Sequence, residues 1–235
     1  MRKNPIWSSQ DIEKLASCLD KLPPVDKKDE ANDATAIKLL DCVLSLHRRY
    51  DVFVVPRIDT FKKSHPDVDT LLSLHKCVVR CGGPLRFYNN ELDYDYEDAA
   101  QMFSRVLDYL INEIKKYPGN SEIEKCQRWA ISASIDGYKR TLGQSNIPLF
   151  GIAGWQYLRM LFGADTCKPD IAIKGYIKDC LKRSFPERPI VELMEASAPL
   201  SPILQGFPQP VCEADRRIWH QYNNKNKQRT ATACH

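Results

Sequence analysis

Between residues 96 and 117 the apolar side chains keep one period. Ala99, Ala100, Phe103, Val106, Leu107, Leu110, Ile111 and Ile114 recur at the spacing that lines up one face of an α-helix, and the same residues share no face of a strand. Pro118-Gly119-Asn120 follows at once, a run that removes a backbone donor and stops the helix. A helix with one apolar face must be covered by other elements, so the rest of the chain is read for what can cover it.

What it offers is more helix. Residues 7–21 read as a helix with Ser8 or Ser9 as N-cap and Asp11 and Glu13 in the first turn, ended by Leu22-Pro23-Pro24. Residues 26–34 are charged and read as a loop. Thr35 can cap a helix running to about Tyr50, with Ile37, Leu40, Val43, Leu44 and Leu46 as its apolar face. Residues 51–56 are β-branched, but they are short, lack a pairing partner and run into Pro56. They read as an extended connector or the start of the next helix. A helical piece at 58–61 is stopped by His65-Pro66, and a helix restarts over 67–74 with Asp67 or Asp69 as cap. Cys81-Gly82-Gly83-Pro84 is a turn, and residues 85–95 are aromatic and acidic with no clear period. Residues 122–142 read as a helix burying Ile123, Trp129, Ile131 and Ile135, with Gly143 at its end. Residues 171–185 turn Ile173, Tyr176, Ile177, Cys180 and Leu181 inward; residues 190–198 form a short helix; residues 199–210 are proline-rich and irregular; residues 213–222 form a closing helix. The expected fold is all-α.

Composition narrows the class. Of the 235 residues, 43% are hydrophobic and 27% charged, the balance of a globular chain able to bury a proper core. No apolar run approaches the length of a membrane span, and Met1-Arg2-Lys3-Asn4-Pro5 leads into no signal-peptide apolar core. An intracellular protein without a membrane partner is expected. Nine scattered cysteines, an odd count, read as reduced thiols. Cys77 and Cys81 have no matching second pair, so zinc is not expected. The net charge of +4 is compatible with a nucleic-acid partner without requiring one.

The chemistry concentrates after Pro148. Pro148-Leu149-Phe150-Gly151-Ile152-Ala153-Gly154-Trp155-Gln156-Tyr157-Leu158 reads as a tight small-residue turn opening a helix, and Gly151, Ala153 and Gly154 suit a sharp bend. A helix start presents unpaired N–H groups and a positive dipole end, which suits a phosphate. A close-packed connection between helices uses the same residues, and both readings stand. Lys168-Pro169-Asp170 follows, where Asp170 reads equally as a helix N-terminus and as a lone reactive carboxylate.

This pairing resembles the helix-hairpin-helix DNA glycosylase superfamily, in which a Leu-Pro-Gly-Val-Gly hairpin grips the DNA backbone and an aspartate follows about twenty residues later. Leu149 to Ala153 match the hairpin, with Ala153 in place of the second glycine, and Asp170 matches the aspartate. Two further stretches are similar. Leu44-Ser45-Leu46-His47-Arg48-Arg49-Tyr50 is like the helix end before the loop that wedges into DNA, and Ala214-Asp215-Arg216-Arg217-Ile218-Trp219 is like the terminal helix of small members carrying a Lys-Pro-Asp aspartate.

The resemblance implies a bilobal fold. Residues 35–164 would form one lobe, and the N-terminal helix (1–34) would pack with residues 165–222 as the other. Residues 223–235 would be a flexible basic tail, and duplex DNA would lie between the lobes. It implies monofunctional base excision. Asp170 would stabilise positive charge on the sugar, and backbone N–H groups from Gly151 to Trp155 would hold phosphate. Ala153, Gly154, Gln156, Lys168 and Lys174 would add DNA contacts, and His47, Arg48, Arg49 and Tyr50 would face the substrate. A solvated helix end explains Arg48 and Arg49 equally well. Trp155 occupies the position of the Schiff-base lysine of bifunctional members, so lyase chemistry by that route is not expected. Trp155 would stack on a base or sugar, or cover the core. A monovalent cation at the hairpin is implied; an iron–sulfur cluster is not, since Cys180, Cys212 and Cys234 are too dispersed. The alternatives are a non-catalytic DNA-binding module and an all-α protein-interaction domain.

Overall fold

The structure is a computed structural model that describes residues 6–25, 34–46, 48–135, 137 and 149–232, with side chains in the last helix described to 224. The described residues contain no strand, and the protein is all-α. The helices are α1 (Ser9–Leu19), α2 (Thr35–Leu44), α3 (Val55–Ser64), α4 (Leu71–Arg80), α5 (Pro84–Leu92) and α6 (Glu97–Ile114). They continue with α7 (Glu122–Ser132), α8 (Ile152–Leu161), α9 (Ile171–Leu181), α10 (Glu187–Ser197) and α11 (Pro210–Thr232). A π-helical turn (Tyr50–Val54) leads into α3, and a 3₁₀ turn (Ala198–Leu200) follows α10. The chain divides into two compact units, Met1–Asp29 with Asp165–His235, and Glu30–Ala164.

In the unit Glu30–Ala164, α2 is the axis. Ala36, Ile37, Leu39, Leu40, Cys42, Val43 and Leu44 are all buried, and a helix apolar over most of its circumference, with Lys38 and Asp41 its half-buried polar positions, belongs inside. It packs on α3, α4, α6, α7 and α8. The α6 face lies as its period requires: Ala99, Ala100, Phe103, Val106, Leu107, Leu110 and Ile114 are buried. Glu122 ties helix starts together, accepting the Leu71 N–H at 2.6 Å and the Thr35 hydroxyl.

Several local expectations fail for physical reasons. Thr35 is the first helical residue and not the cap; its hydroxyl goes to Glu122 and the Asp69 carbonyl. α2 stops at Leu44, short of Tyr50. Thr70 caps α4 through a reciprocal box with Ser73, in place of Asp67 or Asp69. Residues 85–95 are mostly the helix α5, begun by Pro84 after Gly83 at φ 116 and burying Phe87, Tyr88 and Leu92. α7 ends at Ser132 because Ala133 is extended, and Ile131 is 69% exposed, on the face away from Trp129. Gly143 lies outside the described residues. α11 continues helical to Thr232, past both the Tyr222 end and the start of the expected flexible tail.

In the other unit, α1 packs on α9 and α10, and α9 packs on α11. Its core holds Leu15, Leu19, Ile173, Ile177, Ile190, Leu193, Met194, Val211, Ala214 and Ile218. Polar contacts tie α1 and the residues after it to the C-terminal helices. The Tyr176 hydroxyl donates to the Cys18 carbonyl at 2.7 Å and Ser201 to Asp20 at 2.5 Å. Arg183 pairs with Asp11, and Arg216 reaches the Val25 carbonyl at 3.1 Å.

Candidate nucleic-acid interface

The bend before α8 is made differently from the expectation. The left-handed residue is Leu149, at φ 68, while Gly151 is the extended N-cap at φ −89. Holding a leucine there costs about 1 kcal/mol, and the buried ring of the next residue, Phe150, anchors the turn. Ala153 and Gly154 lie inside the first helical turn. Gly154 is a packing glycine: a Cβ there would meet the Phe150 ring at 3.0 Å and Leu46 Cδ1 at 3.3 Å. The Cys42 thiol donates to its carbonyl at 3.4 Å.

Two residues proposed as DNA contacts are core residues. Trp155 is 1% exposed, donates its indole N–H to the Ser134 carbonyl at 3.2 Å and packs edge-on against Trp129. Gln156 is 0% exposed and accepts from Arg159 Nη1 at 2.8 Å, while Arg159 Nε donates to the Ala130 carbonyl at 3.0 Å. Neither side chain can reach a nucleic acid. The Trp155 N–H is also taken, bonding the Gly151 carbonyl at 3.0 Å.

What remains at the helix start is backbone. The N–H groups of Ile152, Ala153 and Gly154 lead α8, with no side-chain cap and no acid in the first turn. Among the described residues, nothing lies within 4 Å of a Cβ built on Gly151. Among the described residues this is a helix N-terminus with nothing against its first glycine, the geometry that receives an anion.

The segment after α2 is mostly self-paired. Arg48 donates to the Tyr94 hydroxyl at 2.9 Å and lies over the Phe53 and Tyr94 rings. Tyr50 turns inward: its hydroxyl donates to Asp41 at 2.6 Å, and Tyr157 donates to the other oxygen at 2.9 Å. Tyr50 therefore does not face a substrate. Burial, with the Asp41 charge beside it, raises Tyr157 far above the usual phenol range. Arg49 is exposed and stands 3.8 Å from Asp51. His47 lies outside the described residues.

In the unit Met1–Asp29 with Asp165–His235, Asp170 is the N-cap of α9. Its Oδ1 accepts from the N–H groups of Ala172 at 2.9 Å and Ile173 at 3.2 Å, and the side chain is half-buried. Its Oδ2 accepts no hydrogen bond among the described residues. The Lys174 ammonium pairs with Glu187 at 2.8 Å. Lys168 contributes its backbone, whose N–H donates to Asp215 Oδ2 at 2.8 Å.

The loop carrying Asp170 is tied at both ends by carboxylates. Asp165 Oδ1 accepts from the N–H groups of Val211 and Cys212 at 3.0 Å, capping α11. Thr166 donates to Glu195 at 2.8 Å. Asp215, from α11, holds the middle. Burial first, and then the Asp170 charge, push its carboxyl up to about 8 against the pull of the Lys168 amide. The neighbouring thiols of Cys167 and Cys212 are also raised, the latter to about 12, chiefly by burial, which makes them poor nucleophiles at neutral pH.

The sequence pattern that placed Ala214 to Trp219 on a helix gave no sign that Asp215 would point at the Asp170 loop. No group of three His, Cys, Asp or Glu residues among those described could hold a metal ion, and no described helix is long and apolar enough to cross a membrane. The class reached at this point is an all-α protein of two helical units. No protein-family model, curated protein or solved structure matches the chain.

Proposed function

We propose that this protein binds duplex DNA and acts as a monofunctional base-excision glycosylase, resembling the helix-hairpin-helix enzymes. The observation that supports this most is the start of α8. Three leading N–H groups, no first-turn acid and, among the described residues, no side-chain cap and nothing against Gly151 suit a phosphodiester oxygen. In this reading the target nucleotide leaves the stack so that its glycosidic bond can be reached. Positive charge develops on the sugar as the bond to the base breaks. Asp170 stabilises that charge and orients a water through Oδ2, the oxygen not used as helix cap.

The test uses duplexes carrying damaged or modified bases. Wild-type protein should bind with an affinity that falls as salt rises, and Gly151→Val should bind at least tenfold more weakly with its melting temperature kept, since its Cβ meets nothing. Asp170→Asn should still bind, because asparagine caps a helix as well as aspartate does, but should release base about a hundredfold more slowly or worse. Duplex affinity indifferent to salt ends the DNA reading, and base release unchanged in Asp170→Asn ends the catalytic one.

A second reading, a DNA-binding module without catalysis, is favoured by one observation: Asp170 already has a structural task as the α9 cap. Under it, every duplex is bound and none is cleaved at the base.

A further inference from the structure

The unit Met1–Asp29 with Asp165–His235 buries an acid beside an acid. Asp215 is 9% exposed and forms no ion pair among the described residues. Basic groups lie next to it in sequence, yet both go elsewhere. Arg216 Nη2 and Arg217 Nε bind the two oxygens of Glu213, each at 2.7 Å. Asp215 instead accepts the Lys168 backbone N–H at 2.8 Å, two residues before Asp170. The groups facing it are Asp170, Lys168 and Cys167 on the loop and Cys212 on the first turn of α11. Glu195 of α10 reaches the same loop through Thr166. Among these only Lys168 carries a cation.

We propose that Asp215 is a positioning residue for Asp170: its buried carboxyl pins the Lys168 amide, fixing the loop that ends in Asp170, and its own protonation sets how firmly it does so. Two carboxylates in one poorly solvated site do not both ionise cheaply. With Asp215 carrying the proton, its carboxyl sits neutral in its buried place on the Lys168 amide. When both are charged, the repulsion falls on the Lys168 contact, and the loop loosens. The upward shift of Asp215, with the Asp170 charge among its causes, agrees with this. The catalytic meaning of the pair rests on the base-excision reading; the pairing itself does not.

The experiment is a carboxyl carbon NMR titration of the intact protein, with amide hydrogen exchange at Lys168. Asp215 should titrate near pH 8 in the wild type, and at least about one pH unit lower in Asp170→Asn, where the like charge is gone. Asp215→Asn, which keeps an acceptor for the Lys168 N–H, should retain amide protection across the pH range. Wild type should lose that protection as pH rises through the Asp215 titration. An ordinary acid titration of Asp215, or one that Asp170→Asn leaves in place, overturns the proposal. Where base release is measurable, its decline above pH 8 should vanish in Asp215→Asn, and a decline that persists there also overturns it. If no duplex loses a base, the base-excision reading fails alone, and the titration still decides the pair.

Discussion

The two glycines of the α8 start are the sharpest probe of what that bend is for, because alanine should destabilise at one and leave the other nearly unchanged. At Gly154 an added Cβ lies 3.0 Å from two carbons of the Phe150 ring and 3.3 Å from Leu46. Phe150 is buried and cannot swing into solvent. Replacing a helical glycine by alanine gains about 1 kcal/mol of helix preference, whereas forcing a methyl into a packed contact costs about 1 to 3 kcal/mol. Gly154 sits in the first turn, where the helix gain is smallest, so the net effect should be a loss of about 1 to 2 kcal/mol. In a chain of this size that lowers the melting temperature by roughly 2 to 8 °C. At Gly151 the Cβ meets nothing among the described residues and the backbone is extended. Alanine there should stay within about 0.5 kcal/mol of wild type, a slightly poorer cap offset by a less flexible unfolded chain. Thermal melts followed by circular dichroism, with duplex binding on the same samples, read both effects. Gly154→Ala as stable as wild type would refute the claim that this glycine exists for the approach of Phe150 and Leu46. Gly151→Ala with a large stability loss would mean that the space against the bend is not open.

Three further predictions follow from the other unit. Asp170→Ala should cost about 1 kcal/mol as a lost helix cap while Asp170→Asn costs little; equal losses in denaturant titrations would show that the cap bonds to Ala172 and Ile173 do not matter. Folded Asp215 titrates near 8 against an ordinary 3.8, so the folded state holds the extra proton between those values and stability falls as pH rises across them. The full gap corresponds to about 6 kcal/mol, and relaxation of the loop reduces it to about 2 to 3 kcal/mol. Urea titrations from pH 5 to 9 should show this fall in wild type and not in Asp215→Asn, and parallel curves would remove it. Asp11 and Glu91 are held below their ordinary values, mainly by the Ser8 amide and by His65 respectively, so their contribution is lost as pH falls through the acid range, below this window. Glu213→Leu should destabilise by about 3 to 5 kcal/mol because it strands the buried Arg217 guanidinium. Glu213→Leu combined with Arg217→Met should recover most of that loss in the same denaturant assay.

How much of this could be read beforehand depends on whether the signal was a pattern or a direction. α6 was plain because eight apolar residues in one period leave one orientation for a helix. α5 was hidden because Phe87, Tyr88 and Leu92 bury one face while Tyr94 and Tyr96 just beyond blur the period. The end of α2 was misplaced because Leu46 extends its apolar face, while Tyr50 is drawn back onto Asp41 and the chain restarts through a π-helical turn. The site residues divide the same way. The motif located a turn opening a helix, which starts inside the expected bend at Ile152, but a motif carries no facing. Trp155 and Gln156 sit where the helix turns toward α7 and the Trp129 ring, so side chains assigned to DNA became core.

The acids make the same point more severely. Glu213 and Asp215 stand two apart on α11, which on a helix places them on different faces. One face meets Arg216 and Arg217 and neutralises its acid; the other meets the Lys168 amide and Asp170 and cannot. Helix spacing gives both arginines to Glu213, three and four residues before them, and denies them to Asp215, one and two residues before them. The rotation of α11 against the 165–170 loop then turns Asp215 to the Lys168 amide, and that rotation goes with the burial of Val211, Ala214 and Ile218 in the core. Helix spacing thus leaves Asp215 without an arginine and apolar packing sets where it points, so the chemistry proposed for Asp170 depends on the core of this unit as well as on its own loop.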